Sequence, residues 1–167
     1  MTYHDAFILP GTCIHTLAPP AKLDFFDTQT VTLPRPITPL EAWRLIAARP
    51  IPLLKLAFRV RDMISSRFGV KQIGGFSTNV PDAVNVGDML DFFLVEHVSD
   101  NVLTLSERDR HLDVLTCVSS QSHELTITSS VRTHNTFGRA YMIPVAPAHK
   151  LLVRAMLRRL RKELEAR

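Results

Sequence analysis

The densest polar stretch of the sequence is residues 107–113, where one histidine lies among five charged side chains. Alternate residues of a strand share a face, so we expect His111 and Asp113 to point the same way as Cys117. If that face lines a cavity, His111 with Asp113 or Asp109 forms an oriented acid–base pair for catalysis. The alternative interpretation is a set of cross-strand ion pairs at one end of a sheet, which requires no catalytic role.

A second polar site is predicted at His134 and Asn135, where a strand ends shortly before Gly138. A histidine and an amide at the mouth of a pocket suit ligand binding, and they equally suit the capping of a turn. Aromatic side chains elsewhere in the chain could form the apolar walls of such a pocket. The candidate ligand-binding residues are therefore His134, Asn135, Arg139, Tyr141, Phe92 and Trp43.

The sequence does not indicate a metal or cofactor site. Its seven histidines form no HxxxH pair, so no metal ligands are predicted. Gly74-Gly75 lacks the further glycines and the lysine of a nucleotide-binding loop, and no serine lies in a GxSxG motif. Cys13 and Cys117 are expected to be reduced thiols, because two cysteines are too few for a disulfide scaffold.

The length of 167 residues predicts one domain over residues 1–167, with an N-terminal arm at 1–21 and a body at 22–165. An apolar share of 46% predicts a globular core. No apolar run approaches the roughly 18 residues that a membrane span needs. The N-terminus lacks a basic region followed by an uninterrupted apolar one, so no signal peptide is predicted and a cytoplasmic location is expected.

The positive charge is concentrated at the C-terminal end. Residues 147–167 carry seven lysines and arginines against two glutamates, so they contribute +5 to a net charge of +4 and the remaining residues sum to −1. Arg154, Arg158 and Arg161 recur at helical spacing, which is typical of a solvated helix face. Such a face could also bind an acidic partner or a membrane surface, whereas the lack of interleaved aromatic residues argues against nucleic acid. A homodimer is compatible with the sequence.

The first half of the chain predicts a strand followed by two helices. Residues 22–33 alternate in hydropathy as a strand does, and Asp27 within them could face outward. Residues 38–41 form a capping box: Thr38 accepts from the Glu41 amide, and the Glu41 carboxylate reaches back to the Thr38 amide. The first helix is predicted to end near residue 49, and a second to run over residues 53–68.

A period of two in the second half predicts further strands, near residues 70–77, 89–98, 102–109, 111–119 and 124–134. Gly74-Gly75 would bend the sheet at the first of them. Strict alternation within 89–98 would place Phe92 and Phe93 on opposite faces, and likewise Asp91 and Glu96. An inward-facing carboxylate there must be paired or mark a site.

The last segment predicts a helix that ends near residue 165. Its apolar stripe comprises His149, Leu152, Val153, Met156, Leu160 and Leu164. Pro144 and Pro147 disfavour helix upstream, so residues 139–145 are predicted as a final strand or an extended lead-in.

This order of elements predicts an α+β fold, in which a curved antiparallel sheet of about six or seven strands packs against two short helices and a long C-terminal helix. Seven stretches between about residues 23 and 160 carry a resemblance: LDFFDTQTV, LEAW, FRVRDMI, LDFFLVE, RDRHLDV, THNTFGRAYMIPVAPAH and LLVRAML. They resemble a bacterial family of unknown function within the SRPBCC superfamily of START domains, polyketide cyclases and Bet v allergens. The resemblance implies a helix-grip fold with a cavity between the sheet and the terminal helix, and it implies no particular activity.

Three functions follow as alternatives. The first is a binding module that holds a small hydrophobic or amphipathic molecule between the sheet and the C-terminal helix. The second is an enzyme of the cyclase, dehydratase or hydrolase type, with acid–base groups drawn from His111, Asp113, Asp109 and His134. The third is an interaction protein that uses the basic surface of the C-terminal helix.

Overall fold

The computed structural model describes residues 6–48 and 80–166. The predicted second helix at 53–68 and the predicted strand at 70–77, with Gly74-Gly75, lie outside these residues. The described chain is an α+β structure, as expected from the order of elements.

A six-stranded antiparallel sheet is the main element of the described chain. Its strands lie in the order β3-β8-β7-β6-β5-β4, and a separate two-stranded sheet pairs β1 with β2. The strands are β1 Phe7–Ile8, β2 His15–Thr16, β3 Phe25–Thr32, β4 Met89–Leu90, β5 Phe93–Val98, β6 Val102–Arg108, β7 Leu112–Gln121 and β8 Glu124–Thr133, and the helices are α1 Pro39–Ala48 and α2 Thr136–Glu165. Every pairing is antiparallel, which confirms the predicted sheet.

Helix α1 begins at the predicted cap. Thr38 Oγ1 accepts from the Glu41 amide at 3.2 Å, which satisfies one of the free amides at the helix N-terminus. The Glu41 carboxylate accepts from the Arg35 guanidinium at 2.8 Å, in place of the predicted return contact to the Thr38 amide. The helix buries Ala42, Trp43, Ile46 and Ala47 on its core-facing side.

The single strand predicted over residues 89–98 is wrong, because the chain reverses at Asp91-Phe92. Asp91 adopts a left-handed conformation with φ 60°, and β4 and β5 pair as a hairpin in which Leu90 lies opposite Phe93. A bulge follows between Val95 and His97. Both features reset the alternation of side chains, so counting positions along the strand cannot assign Phe92, Asp91 or Glu96 to a face.

The predicted strand or extended lead-in at 139–145 is also wrong. Helix α2 runs without a break from Thr136 and contains both Pro144 and Pro147. Each proline removes one amide donor from the helix ladder, which weakens but does not end it. The Asn135 cap at the start and the docked second half of the helix stabilise the intervening turns, and both proline rings lie on the exposed side.

The two faces of the large sheet are covered differently. The inner face packs against α1 and α2 through one apolar cluster, which includes Leu105, Val118 and Leu157. The C-terminal helix buries Val153, Met156, Leu157, Leu160 and Leu164 there, while Arg154, Arg158 and Arg161 are exposed as expected.

The outer face of the sheet is partly covered by the N-terminal arm, residues 6–21. The arm contains the β1–β2 hairpin. The His15 amide donates to Cys117 Sγ at 3.3 Å and the Leu17 amide donates to Ser130 Oγ at 3.1 Å. A small apolar cluster of Val102, Leu115 and Cys117 packs against residues of the arm.

Candidate functional site

Three polar side chains form a row across the inner face of the sheet. Asp27 of β3 lies opposite Ser129 of β8, and Ser129 lies opposite Thr116 of β7. Directly opposed residues share a face, and these positions alternate with neighbours that face outward. Thr116 Oγ1 and Ser129 Oγ are 3.4 Å apart, and both residues are buried. We call Asp27, Ser129 and Thr116 the polar row.

Gln29 links the polar row to helix α2. Its side-chain amide donates to Asp27 Oδ2 at 2.8 Å and to the Lys150 carbonyl at 2.9 Å. The Lys150 ammonium lies 5.7 Å from the centre of the Phe25 ring, within the range of a cation–π contact. The first half of α2 is therefore held over β3 mainly by polar contacts, whereas the second half is held by apolar packing.

His149 of α2 lies at the polar row with an unsatisfied nitrogen. Its ring meets Phe25 edge to face, with centroids 5.6 Å apart. Its Nε2 is buried and has no hydrogen-bond partner within residues 6–48 and 80–166. Burial lowers the pKa of His149, and the negative charge of Asp27 opposes that shift only partly. The ring is thus held neutral, with one nitrogen able to donate or accept depending on its tautomer.

The arrangement suits binding of a molecule with one polar group. The His149 imidazole and the Asp27 carboxylate lie beside the buried Phe25, and the hydroxyls of Ser129 and Thr116 continue the same row across the sheet. Among the described residues, no group of three or more His, Cys, Asp and Glu side chains could hold a metal ion. Hydrogen bonding and apolar contact are the interactions that these side chains offer.

The predicted acid–base pair of His111 with Asp109 is a turn contact. Asp109 Oδ1 accepts from the His111 amide at 2.6 Å and from the Leu112 amide at 2.9 Å, so the carboxylate closes the β6–β7 turn. The His111 ring instead lies 3.0 Å from the Asn135 amide group and accepts from Arg110 Nε at 2.9 Å.

A histidine–carboxylate contact does form nearby, between His134 and Asp113. His134 Nε2 lies 3.0 Å from Asp113 Oδ1. Arg108 lies 3.7 Å from the same carboxylate and 2.8 Å from Glu96, which confirms cross-strand ion pairing at this end of the sheet. Asp113 shares its face with Leu115 and Cys117, as predicted, and that face is the outer one.

Asn135 is the N-cap of α2. Its Oδ1 accepts from the Gly138 amide at 3.0 Å and its Nδ2 donates to the Arg110 carbonyl at 3.1 Å. Its backbone is extended, with φ −154°, and its side chain caps the helix, which agrees with the capping role considered for this segment. Arg139 is exposed and donates to Thr136 Oγ1 at 3.3 Å.

The predicted aromatic wall residues divide between two parts of the fold. Tyr141 lies on α2 with its ring stacked at 6.4 Å on Phe137. Trp43 of α1 meets Phe93 edge to face at 5.8 Å, and Phe92 lies 4.2 Å from the same ring. Trp43 and Phe92 therefore both pack on Phe93, where α1 meets the β4–β5 hairpin.

Sequence reasoning missed the polar row. Asp27, which by its sequence could face outward, shares the inner face with Phe25 and Val31. His149 is part of the predicted apolar stripe of its helix. A histidine on a face that is otherwise apolar is the one sequence signal that could have indicated a buried polar site there. The sequence gives no such signal for Thr116 and Ser129, because only the strand register brings them into one row with Asp27.

Comparison with known proteins identifies a family. Residues 20–156 match the profile of a family described as "Protein of unknown function (DUF2867)". No curated protein and no solved structure matches the chain.

Proposed function

The chain belongs to the DUF2867 family of proteins of unknown function, and we propose that it binds a small amphipathic molecule between the inner face of its sheet and helix α2. The polar row and His149 would hold the polar group of that molecule. Its apolar part would lie against side chains such as Phe25 and Val131.

The observation that carries this proposal is the buried, unsatisfied Nε2 of His149. Leaving a buried polar atom without a partner costs about 1–3 kcal/mol, so such atoms are rare in folded proteins and are often partnered by a ligand or water. A ligand hydroxyl, carbonyl or amide placed at Nε2 would supply the missing hydrogen bond. The hydroxyls of Thr116 and Ser129 would accept or donate further bonds to the same group.

The sequence resemblance to the SRPBCC superfamily supports the same location. Members of that superfamily have a curved sheet that wraps a long terminal helix around a cavity. Here the long helix α2 packs on the inner face of the sheet, and its buried apolar side chains run from Val153 to Leu164, beyond His149 at the polar row.

The proposal is tested with His149→Leu and the control His134→Gln, which removes a histidine from the outer face. Native mass spectrometry of gently purified protein would be searched for a co-purifying molecule, and the affinity for 8-anilinonaphthalene-1-sulfonate would be measured as an amphipathic probe. We expect His149→Leu to lose the adduct and to weaken the probe at least tenfold, with His134→Gln unchanged.

The stability of His149→Leu distinguishes a site from a structural contact. Replacing an unsatisfied buried polar group by an apolar one of similar size is expected to leave the free energy of unfolding equal or higher. Full ligand retention in His149→Leu would contradict the proposal. Thr116→Val, with Thr128→Val on the outer face as its matched control, repeats the comparison for a hydroxyl of the polar row.

A second candidate function rests on the 3.0 Å contact of His134 with Asp113. A carboxylate that accepts from one imidazole nitrogen orients the ring and fixes its tautomer, as a general base requires. Hydrolase-type chemistry on the outer face would then use His134 as the base and Asp113 as its orienting residue.

A further inference from the structure

The exposed side of helix α2 changes character along its length. In the first half it presents large apolar side chains: Ile143 is 75% exposed and Leu151 is 63% exposed. In the second half it presents Arg154 and Arg158, both exposed. We call these four residues, with Pro147 between them, the α2 outer strip.

Helical geometry places the members of the α2 outer strip on one side. At about 100° per residue, Arg154 projects within roughly 20° of Ile143, and Arg158 within roughly 20° of Leu151. The core-facing residues Val153, Met156 and Leu160 project to the other side and are buried. The strip can therefore be covered by a partner without disturbing the packing of the helix on the sheet.

The cations of the strip are available for a partner. Within residues 6–48 and 80–166, Arg154 and Arg158 form no ion pair, whereas Arg161 is held by Glu165 at 2.8 Å. Arg159 and Lys162 extend the positive charge beside the strip, and both are exposed.

We propose that the α2 outer strip docks the protein on an anionic lipid bilayer surface. Ile143 and Leu151 would enter the headgroup region, while Arg154 and Arg158 would contact lipid phosphates. An interfacial helix that combines exposed apolar residues with unpaired arginines has the composition that such binding requires. None of the helices in the described ranges is long and apolar enough to cross a membrane, so the contact would be peripheral.

The apolar half of the strip selects this partner over others. A nucleic-acid backbone would use the arginines but gives no role to Ile143 and Leu151, since its affinity comes from phosphate contacts. An acidic protein surface would likewise depend mainly on the charges. A bilayer can contact both halves at once. Substitutions in one half at a time measure how much each half contributes to the affinity for the bilayer.

The test is co-sedimentation of the full-length protein with vesicles of phosphatidylcholine alone and of phosphatidylcholine with about 30% phosphatidylserine. Two double variants separate the halves of the strip: Arg154→Gln with Arg158→Gln, and Ile143→Ser with Leu151→Ser. Their matched controls are Lys22→Gln with Arg132→Gln, which lowers the net charge equally, and Met89→Ser, which removes an exposed apolar side chain elsewhere.

We expect binding to the anionic vesicles that weakens with salt, and at least a tenfold loss in both strip variants but in neither control. Equal binding to neutral vesicles, or no binding to either kind, would overturn the proposal. So would a loss that follows the arginines but not Ile143 and Leu151, which would indicate attraction by charge alone, without insertion of the apolar side chains. The experiment is independent of the ligand site, since no strip residue belongs to the polar row.

Discussion

His149 and His15 show how the same side chain acquires different roles at two depths of the fold. The pKa of His15, a residue of the arm, is lowered by burial against the sheet and further by His97, whose ring lies 4.9 Å away, while Glu96 raises it. Its Nδ1 lies 2.9 Å from Thr104 Oγ1, so its polar contact is satisfied. His149 has the same direction of shift but lacks a partner for Nε2 among the described residues.

These shifts predict a pH dependence of stability. Because the pKa of His149 is lower in the folded protein than its ordinary value of about 6.5, the unfolded chain takes up a proton first as the pH falls. The free energy of unfolding should therefore fall below about pH 6.5, until the pH reaches the lowered value in the folded protein. Urea denaturation at pH 7.5 and pH 5.5 measures this change.

The same measurement on variants assigns the pH dependence. In His149→Leu, the free energy of unfolding should fall by less between pH 7.5 and pH 5.5 than in the wild type. Adding His15→Gln should make this difference between the two pH values smaller still. Leu152→Ala is the control, since it removes apolar packing on the same helix and should shift stability equally at both values. An unaltered decrease in the double histidine variant would contradict this assignment.

The His134–Asp113 contact gives a second prediction, on activity. If the pair serves as a base, His134→Gln should abolish hydrolysis of a generic ester such as p-nitrophenyl acetate while changing the free energy of unfolding by less than about 0.5 kcal/mol. Asp113→Asn should lower the rate, because the carboxylate charge that orients the His134 ring is lost. If neither variant differs from the wild type in turnover, the pair is a structural ion pair.

The start of α2 is the element that connects the sheet to its covering helix. Asn135 caps the helix and reaches the β6–β7 turn through the Arg110 carbonyl. Gly138 lies so close to the His111 carbonyl that a Cβ atom there would overlap with that backbone oxygen. The turn and the helix are thus packed backbone to backbone.

Gly138→Ala should therefore destabilise the protein by about 1–3 kcal/mol, as overpacking of a closed contact does, although alanine favours helices elsewhere. The control Arg139→Ala, at an exposed position of the same turn, should change stability by less than about 0.5 kcal/mol. Thermal or urea unfolding measures both. A stabilised Gly138→Ala variant would show that the helix N-terminus can move away from the turn.

The second half of α2 gives a matching pair of substitutions. Met156 is buried against the core and Arg158 is exposed one turn away from Arg154. Met156→Ala should cost about 2–5 kcal/mol, while Arg158→Ala should be nearly silent in urea unfolding. Equal and small effects would show that this half of the helix is not docked.

On the scale of the whole molecule, the sheet is covered on both faces, by helices inside and by the arm outside. The outer cover buries hydroxyl groups as well as apolar ones, including Thr104, Thr128 and Ser130. It also buries Cys117, and that burial raises the pKa of its thiol to about 11. The integrity of the arm can therefore be followed through one cysteine.

Cys117 should react slowly with a disulfide reagent such as DTNB at pH 8, since only the thiolate attacks and a pKa of about 11 leaves little of it. The Cys13→Ser variant isolates this signal. Adding Leu17→Ser, which weakens the contact of the arm with the apolar cluster, should accelerate the reaction at least tenfold. Rapid labelling of Cys117 in the Cys13→Ser variant, without Leu17→Ser, would contradict the conclusion that the arm covers this thiol.

The sequence by itself determined the features that depend on local chemistry and periodicity. The Thr38 cap, the apolar face of α1, four of the long strands and the docked half of α2 all follow from short-range patterns that packing reinforces. The overall α+β class was predictable for the same reason, since the period of the apolar residues distinguishes the helices from the strands along the chain. The cross-strand ion pairs of Arg108 and Asp113 could also be predicted from the sequence.

Only the tertiary structure decided the features that depend on which residues meet. A left-handed Asp91 splits one predicted strand into a hairpin, and docking of α2 outweighs the two prolines that argued against helix. The register of three strands sets Asp27, Ser129 and Thr116 in one row, and residue types alone give no such alignment. The lack of a partner for His149 Nε2 is likewise a property of the packed fold, because burial is decided by contacts between elements distant in sequence.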